Sequence, residues 1–311
     1  MKYLYTLFGL LLLGACSSST GKDPMDPETP DSSKRIARIE IQELFFEDPS
    51  YDDRAQTTWD FSYDASGRVS RISMKYVETG EDSSLGSGTG TISFRYGEGT
   101  ISCEYPIVFA ETPRSGSATA TLDDEGRIIS GVINGYDSKD EVSTVCKYDL
   151  YYDPDGYLIR SDVETEYGSE SPHQSQYAVT WGNGNPVELQ WGGTDLSEKY
   201  IDQVRYSTVP NKTNLDLGWL LLQTEGWSGV WGDASIYGGV TNFFALLKYA
   251  GPTSGLLPEE VSTGISTWNN RYEYTYQTDS DGYVTAISSK ERSKVDNQLY
   301  ERVKYVITYA E

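Results

Sequence analysis

FSYDASGRVSRI, residues Phe61–Ile72, is the stretch from which the rest of the chain can be read, because looser copies of it return along the sequence. LDDEGRI occupies Leu122–Ile128, YYDPDGYLI occupies Tyr151–Ile159, and YQTDSDGYV occupies Tyr276–Val284. In each, an aromatic or apolar run meets Asp, then two small or polar residues, then Gly, then a second run of the same kind. Asp64, Asp123, Asp153 and Asp279 suit the first position of a type I turn, where a carboxylate accepts backbone N–H bonds. Gly67, Gly126, Gly156 and Gly282 suit the closing position, which requires the left-handed conformation. The motif predicts hairpins and carries no chemistry of its own.

Working outward, the flanking runs alternate. Trp59, Phe61 and Tyr63 lie opposite Thr58, Asp60 and Ser62, and Ile72, Met74 and Tyr76 continue one face after the turn. Gly67, Gly99, Gly126, Gly156 and Gly184 recur about every thirty residues, one hairpin per repeat. Period-2 alternation over so many hairpins predicts an all-β fold: a large antiparallel meander that curls into a barrel and so removes its exposed edges. Within it, Glu78–Gly90 reads as a polar loop and His173 as part of the loop GSESPHQS. The pattern breaks at 211–258. NKTNLDLGWLLLQ (Asn211–Gln223) predicts a short buried helix with Asn and Thr caps, and TNFFALLKY (Thr241–Tyr249) a second one stopped by Gly251-Pro252. GLLPEEV (Gly255–Val261) reads as a turn, and the whole insert as a plug or cap.

The ends and the composition fix the setting. Residues 1–15 form a short basic start, an apolar run and Leu13-Gly14-Ala15 before Cys16, the pattern of a bacterial lipoprotein signal with acylation at Cys16. The run is too short to span a bilayer. Residues 16–34, rich in Ser, Pro and Asp, read as a disordered tether, and 35–311 as one β domain. Lys and Arg total 25 against 47 Asp and Glu, a formal charge of −22, which argues against nucleic acid as a partner. Cys103 and Cys146 share strand parity with apolar neighbours, and in a meander they fall on strands that are not adjacent. Buried free thiols are therefore favoured over a disulfide.

Four segments together resemble one family of Gram-negative lipoproteins, known as a domain of unknown function (DUF4595) with a porin-like fold. They are the YDASGR-type hairpins, Asn211–Leu222, Phe243–Pro258 and the closing YEYTYQTDSDGYVTAI. The resemblance covers nearly all of the chain after Cys16. It implies a barrel-like fold and anchorage to an envelope membrane, and it brings no catalytic residues; the outer membrane is the location we expect. A lesser resemblance, to the tyrosine–aspartate repeats of secreted toxin shells, rests on Tyr63-Asp64 and Gly67-Arg68.

No catalytic constellation emerges. The chain has one histidine, which excludes multi-histidine zinc sites. Asp153/Asp155 and Asp279/Asp281 begin like calcium loops but lack the distal bidentate Glu. No G-x-S-x-G elbow is present. We therefore expect no metal, no cofactor and a non-catalytic binding or structural module for a glycan or protein partner. Trp227, Trp231 and Tyr237, set among glycines, are the candidate binding residues. Two alternatives stay open: a hydrolase using a carboxylate pair, which no spacing singles out, and a transmembrane pore.

Overall fold

The computed structural model describes residues 34–44, 54–79, 87–109, 112–136, 142–168, 171–193, 200–224, 240–264, 270–293 and 296–310. Among them are sixteen strands. The first eight are β1 Ile36–Leu44, β2 Arg54–Tyr63, β3 Val69–Thr79, β4 Ser87–Gly97, β5 Thr100–Phe109, β6 Thr112–Leu122, β7 Ile128–Tyr136 and β8 Val142–Tyr152. β9 Leu158–Tyr167, β10 His173–Gly182, β11 Asn185–Gly192 and β12 Tyr200–Pro210 lead to two helices, α1 Leu217–Thr224 and α2 Val240–Leu246. β13 Leu256–Ser262, β14 Arg271–Thr278, β15 Val284–Arg292 and β16 Leu299–Tyr309 complete the chain. Every strand pairs antiparallel with its neighbours in sequence, and β1 pairs with β16, so the barrel is closed.

One end of the barrel is made of tight turns. Asp64 O accepts from Gly67 N at 3.0 Å, and Asp64 Oδ1 accepts from the N–H groups of Ser66 and Arg68, each at 2.9 Å. The same geometry recurs at Asp123, Asp153 and Asp279, and Gly67, Gly126, Gly156 and Gly282 hold φ of 81°, 79°, 86° and 78°. Asn183 and Gly184, at φ 52° and 74°, make the two-residue mirror-image turn that Asn-Gly favours.

These turns join β2 to β3, β4 to β5, and so on. The strand pairs between them are tied by a ring of aromatic side chains that sequence reading did not anticipate. Tyr63 Oη donates to Ile36 O (2.6 Å), Tyr96 to Val69 O (2.6 Å), Tyr152 to Ile128 O (2.7 Å) and Trp181 Nε1 to Leu158 O (2.7 Å). Tyr206, Tyr276 and Tyr309 do the same to Pro186, Pro258 and Val284. The exception is β6, which ends in Leu122. Residues just after the turn glycines cover this ring: Arg68 lies over Tyr96, Arg127 over Tyr152, and Tyr157 against Trp181. Around the turn end, adjacent strands are therefore linked alternately by a covalent turn and by an aromatic hydrogen bond.

Inside sit the two helices. Leu217, Trp219, Leu220, Leu221 and Leu222 of α1 are buried, as are Phe243, Phe244, Ala245 and Leu246 of α2. A helix apolar all round needs walls all round, and the barrel supplies them: Trp59 packs edge-on to Phe243 at 5.1 Å and Phe94 to Phe244 at 6.4 Å. The described parts of the insert take the place of a tight turn between β12 and β13 and plug the barrel at the turn end. Its cap is Asp216, not Asn211 or Thr213. Asp216 Oδ1 accepts from Trp219 N at 3.2 Å, while the Asn211 amide donates to that same carboxylate oxygen at 2.6 Å. Asn214 ties the plug to the first strand through Ile36 N (2.9 Å).

Along each strand the faces separate. On β8, Thr144, Cys146, Tyr148 and Leu150 point inward and are buried, while Lys147 and Tyr151 are exposed. Cross-strand ion pairs lace the outer wall, among them Arg38–Asp60 (2.6 Å), Arg95–Glu104 (2.8 Å) and Lys147–Glu166 (2.8 Å). Cys103 and Cys146 are buried free thiols, because their register row runs Cys103, Ala118, Ile133, Cys146 and leaves two strands between them.

Three local expectations are corrected. GLLPEEV is strand β13 rather than a turn, so regular structure resumes at Leu256, inside the 211–258 insert; Pro258 is accommodated where the β12–β13 register shifts, beside Tyr206. His173 begins β10, opposite Thr165, instead of lying in a loop. The Glu78–Gly90 loop is shorter than its polar composition suggests, because β3 runs to Thr79 and β4 starts at Ser87.

Candidate functional site

Most connections at the opposite end are longer, and there the outer wall of β12 to β15 is hollowed. Alternation on β12 turns Asp202, Val204 and Tyr206 inward and Ile201, Gln203 and Arg205 outward. Register carries this outward face across the sheet: Gln203 stands opposite Ser262, and Ser262 opposite Arg271. One step toward the turn end, Arg205 stands opposite Glu260, and Glu260 opposite Glu273.

The second row and the arginines form an alternating ladder. Arg205 Nη2 lies 3.0 Å from Glu260, Glu260 pairs with Arg271, Arg271 Nε lies 3.5 Å from Glu273, and Glu273 accepts from Arg292 at 2.6 Å. Glu259, 3.7 Å from Arg205, brings the ladder to three arginines and three glutamates. Isolated surface pairs contribute little, but a chain of this kind fixes where each guanidinium points.

Above the ladder opens a cleft of about 690 Å³, lined by Gln203, Ser262, Asn270, Arg271, Arg292 and Asn297, with Ile201 and Gly264 among its other walls. Its shape is held from behind. Asp202 Oδ1 accepts from Gly264 N at 2.9 Å, and burial pushes the Asp202 carboxyl up to about 6. Asn270 N donates to Thr263 Oγ1 at 3.2 Å, fixing the stem between β13 and β14. Arg292 Nη1 donates to Asn297 O at 3.0 Å, bracing the β15–β16 turn in which Asn297 takes φ 59°.

Cys16, Trp227, Trp231 and Tyr237 lie outside the described residues. The turn aspartates lie at the far end from the cleft, and their carboxylates are occupied. Asp153 Oδ1 holds Asp155 N and Tyr157 N, and Asp279 also pairs with Lys34 at 2.7 Å. Among the described residues no group of three or more His, Cys, Asp or Glu could hold a metal. Two carboxyls are raised to about 6 by burial, Asp202 and Asp216, but they sit at opposite ends of the barrel and form no pair. The cleft residues were missed because they come from segments as far as ninety positions apart; the outward parity of Gln203 was readable, its partners were not.

No family model matches the chain, and no curated protein matches it. Among solved structures it is similar to a porin-like protein from Bacteroides uniformis, at TM-score 0.60 and 15% identity, over 89% of this chain and 99% of that one. A porin-like protein from Bacteroides vulgatus matches at TM-score 0.53 and 14% identity, again over 89% and 99%. At these identities the likeness is one of fold: a closed, porin-like β-barrel.

Proposed function

We propose that this chain is a lipid-anchored protein of the Gram-negative envelope, held to the outer membrane through acylated Cys16, and that it works as a non-catalytic binding module. Kinship with the DUF4595 lipoproteins is part of the same proposal. The observation that carries it is the polarity of the barrel. A transmembrane barrel turns an apolar band outward and a polar lumen inward. Here the outer wall bears the ion pairs, and the inner wall packs against two apolar helices. Such an object stands in water and presents surfaces.

Its first described residue supports an orientation. Lys34 reaches Asp279 and Asp281, each at 2.7 Å, so the tether enters at the plugged end and the cleft faces the other way. The test is fractionation of cells carrying the wild type and Cys16→Ala. Wild type is expected with membranes and released only by detergent, and the variant in the soluble fraction. A variant that stays with membranes, or full-length protein that conducts ions across a planar bilayer, would overturn the reading.

A further inference from the structure

We infer that the outer cleft between β12 and β15 is a saccharide site, and that the saccharide is neutral; the inference rests on the reading of this chain as a binding module. The volume, about 690 Å³, lies within the usual range for small-ligand sites and holds a short oligosaccharide. The lining chemistry is that of a hydroxyl reader. Gln203, Asn270 and Asn297 carry amides with both donor and acceptor atoms, Ser262 a hydroxyl, and Arg271 and Arg292 planar donors. Internal bonds from Gln203 to Glu188, Asn270 to Tyr272 Oη and Ser262 to Glu260 hold three of them in place and leave their acceptor oxygens for a ligand. Hydroxyl groups need both kinds of partner within one small space, and this row provides them.

The ladder decides between a neutral and an acidic ligand. Its arginines are matched one for one by Glu259, Glu260 and Glu273, so the cleft offers guanidinium donors with no net positive charge. The whole chain carries −22, which repels an approaching anion. A carboxylate would have to displace Glu260 or Glu273 from its arginine against that field, whereas a neutral sugar accepts from guanidinium edges left in place. The donors are also fixed in advance, since Arg292 is held by both Glu273 and Asn297 O, so little ordering is required on binding.

The test is an array of neutral hexose, N-acetylhexosamine and uronate-containing oligosaccharides, probed with the full chain in a detergent that is not itself a glycoside. Hits are followed by calorimetric titration. Neutral spots are expected to retain the protein, and Gln203→Ala with Ser262→Ala to weaken binding about tenfold or more without a change in melting temperature. Retention only on uronate spots would overturn the neutral assignment. Retention indifferent to the Gln203 and Ser262 substitutions, or no retention at all, would overturn the site. In those last cases a protein partner captured equally by wild type and the cleft variant would leave the binding-module reading standing.

Discussion

At one end of the barrel, β8 passes to β9 through Asp153–Gly156, and Tyr152 reaches across to Ile128 O. At the other, β13 passes to β14 through 263–270, the guanidinium of Arg271 lies on the outer wall, and the groups around it come from four strands. Both ends are made by the same hairpins, but their polar groups are spent differently. At the turn end the aspartates satisfy backbone N–H groups of their own turns, the tyrosines and Trp181 satisfy carbonyls of the preceding strand, and the two apolar helices fill the space inside. At the loop end the polar groups pair with one another along the outer wall and leave a hollow above them. Backbone closure is concentrated at the turn end, and side chains that pair with one another on an open outer face where loops allow variation.

The largest expected effect tests the filled end. Trp219 is 2% exposed in α1, inside the barrel. Trp219→Ala should cost about 3–5 kcal/mol as a cavity that the closed wall cannot collapse to fill. Urea unfolding followed by circular dichroism measures it. A loss under about 1 kcal/mol would mean that the plug adds little to the wall that surrounds it.

Next comes pH, which asks whether the two ends are equally dry inside. Asp216 in the plug and Asp202 behind the cleft are both raised by burial from an ordinary 3.8 to about 6. Between those values the folded state binds more protons than the unfolded one, so stability must fall as pH rises from about 4 to about 6. The drop is on the order of 2–3 kcal/mol for each group, complete above the folded pKa. Asp216→Asn, which can still cap α1, and Asp202→Asn should each flatten part of that slope. Urea midpoints at pH 4.5 and pH 7 decide the matter. If only Asp216→Asn changes the slope, the interior behind the cleft is wetter than the plug.

Gly156→Ala then probes the turns. Gly156 holds φ 86°, and an added Cβ would lie 2.8 Å from Arg127 Nη1 and 3.7 Å from Pro252 Cδ. The backbone strain alone is about 1–2 kcal/mol, and displacing Arg127 from its place over Tyr152 adds to it. A melting temperature equal to wild type would show that the hairpin can change turn type without loss.

The same contrast explains what was legible in the sequence. Turn glycines, hairpin spacing and the apolar run of α1 are local signals, written within a dozen residues, and from them the barrel and its plug could be predicted. β13 was hidden because Pro258 and the double glutamate Glu259-Glu260 read as loop chemistry. Only the register with β12 shows that the proline falls at an irregularity and that Glu260 is buried between two arginines. The aromatic ring was present as Tyr or Trp at the end of most even-numbered strands, but its acceptors are carbonyls, which no side-chain pattern announces. The cleft is the least legible feature: Gln203, Ser262, Asn270 and Asn297 become neighbours only once four strands are in register.

The smallest expected effect lies on a single strand and puts both ends in one experiment. On β12, Tyr206 points inward at the turn end and donates to Pro186 O at 2.7 Å, while Gln203, three residues earlier, points outward into the cleft. Tyr206→Phe keeps the ring and removes only the hydroxyl, leaving a carbonyl in a poorly solvated rim without its donor. A loss of about 1 kcal/mol follows. Gln203→Ala removes an exposed side chain whose hydrogen bond, to Glu188 at 3.4 Å, is long, and stability should stay within about 0.5 kcal/mol of wild type. Chemical denaturation of the two variants side by side, with amide exchange at Leu189 and Val204 as a local probe, separates the cases. If Gln203→Ala costs as much as Tyr206→Phe, the cleft row is part of what closes the barrel, and the division between a closing end and an open one fails on the strand where it is sharpest.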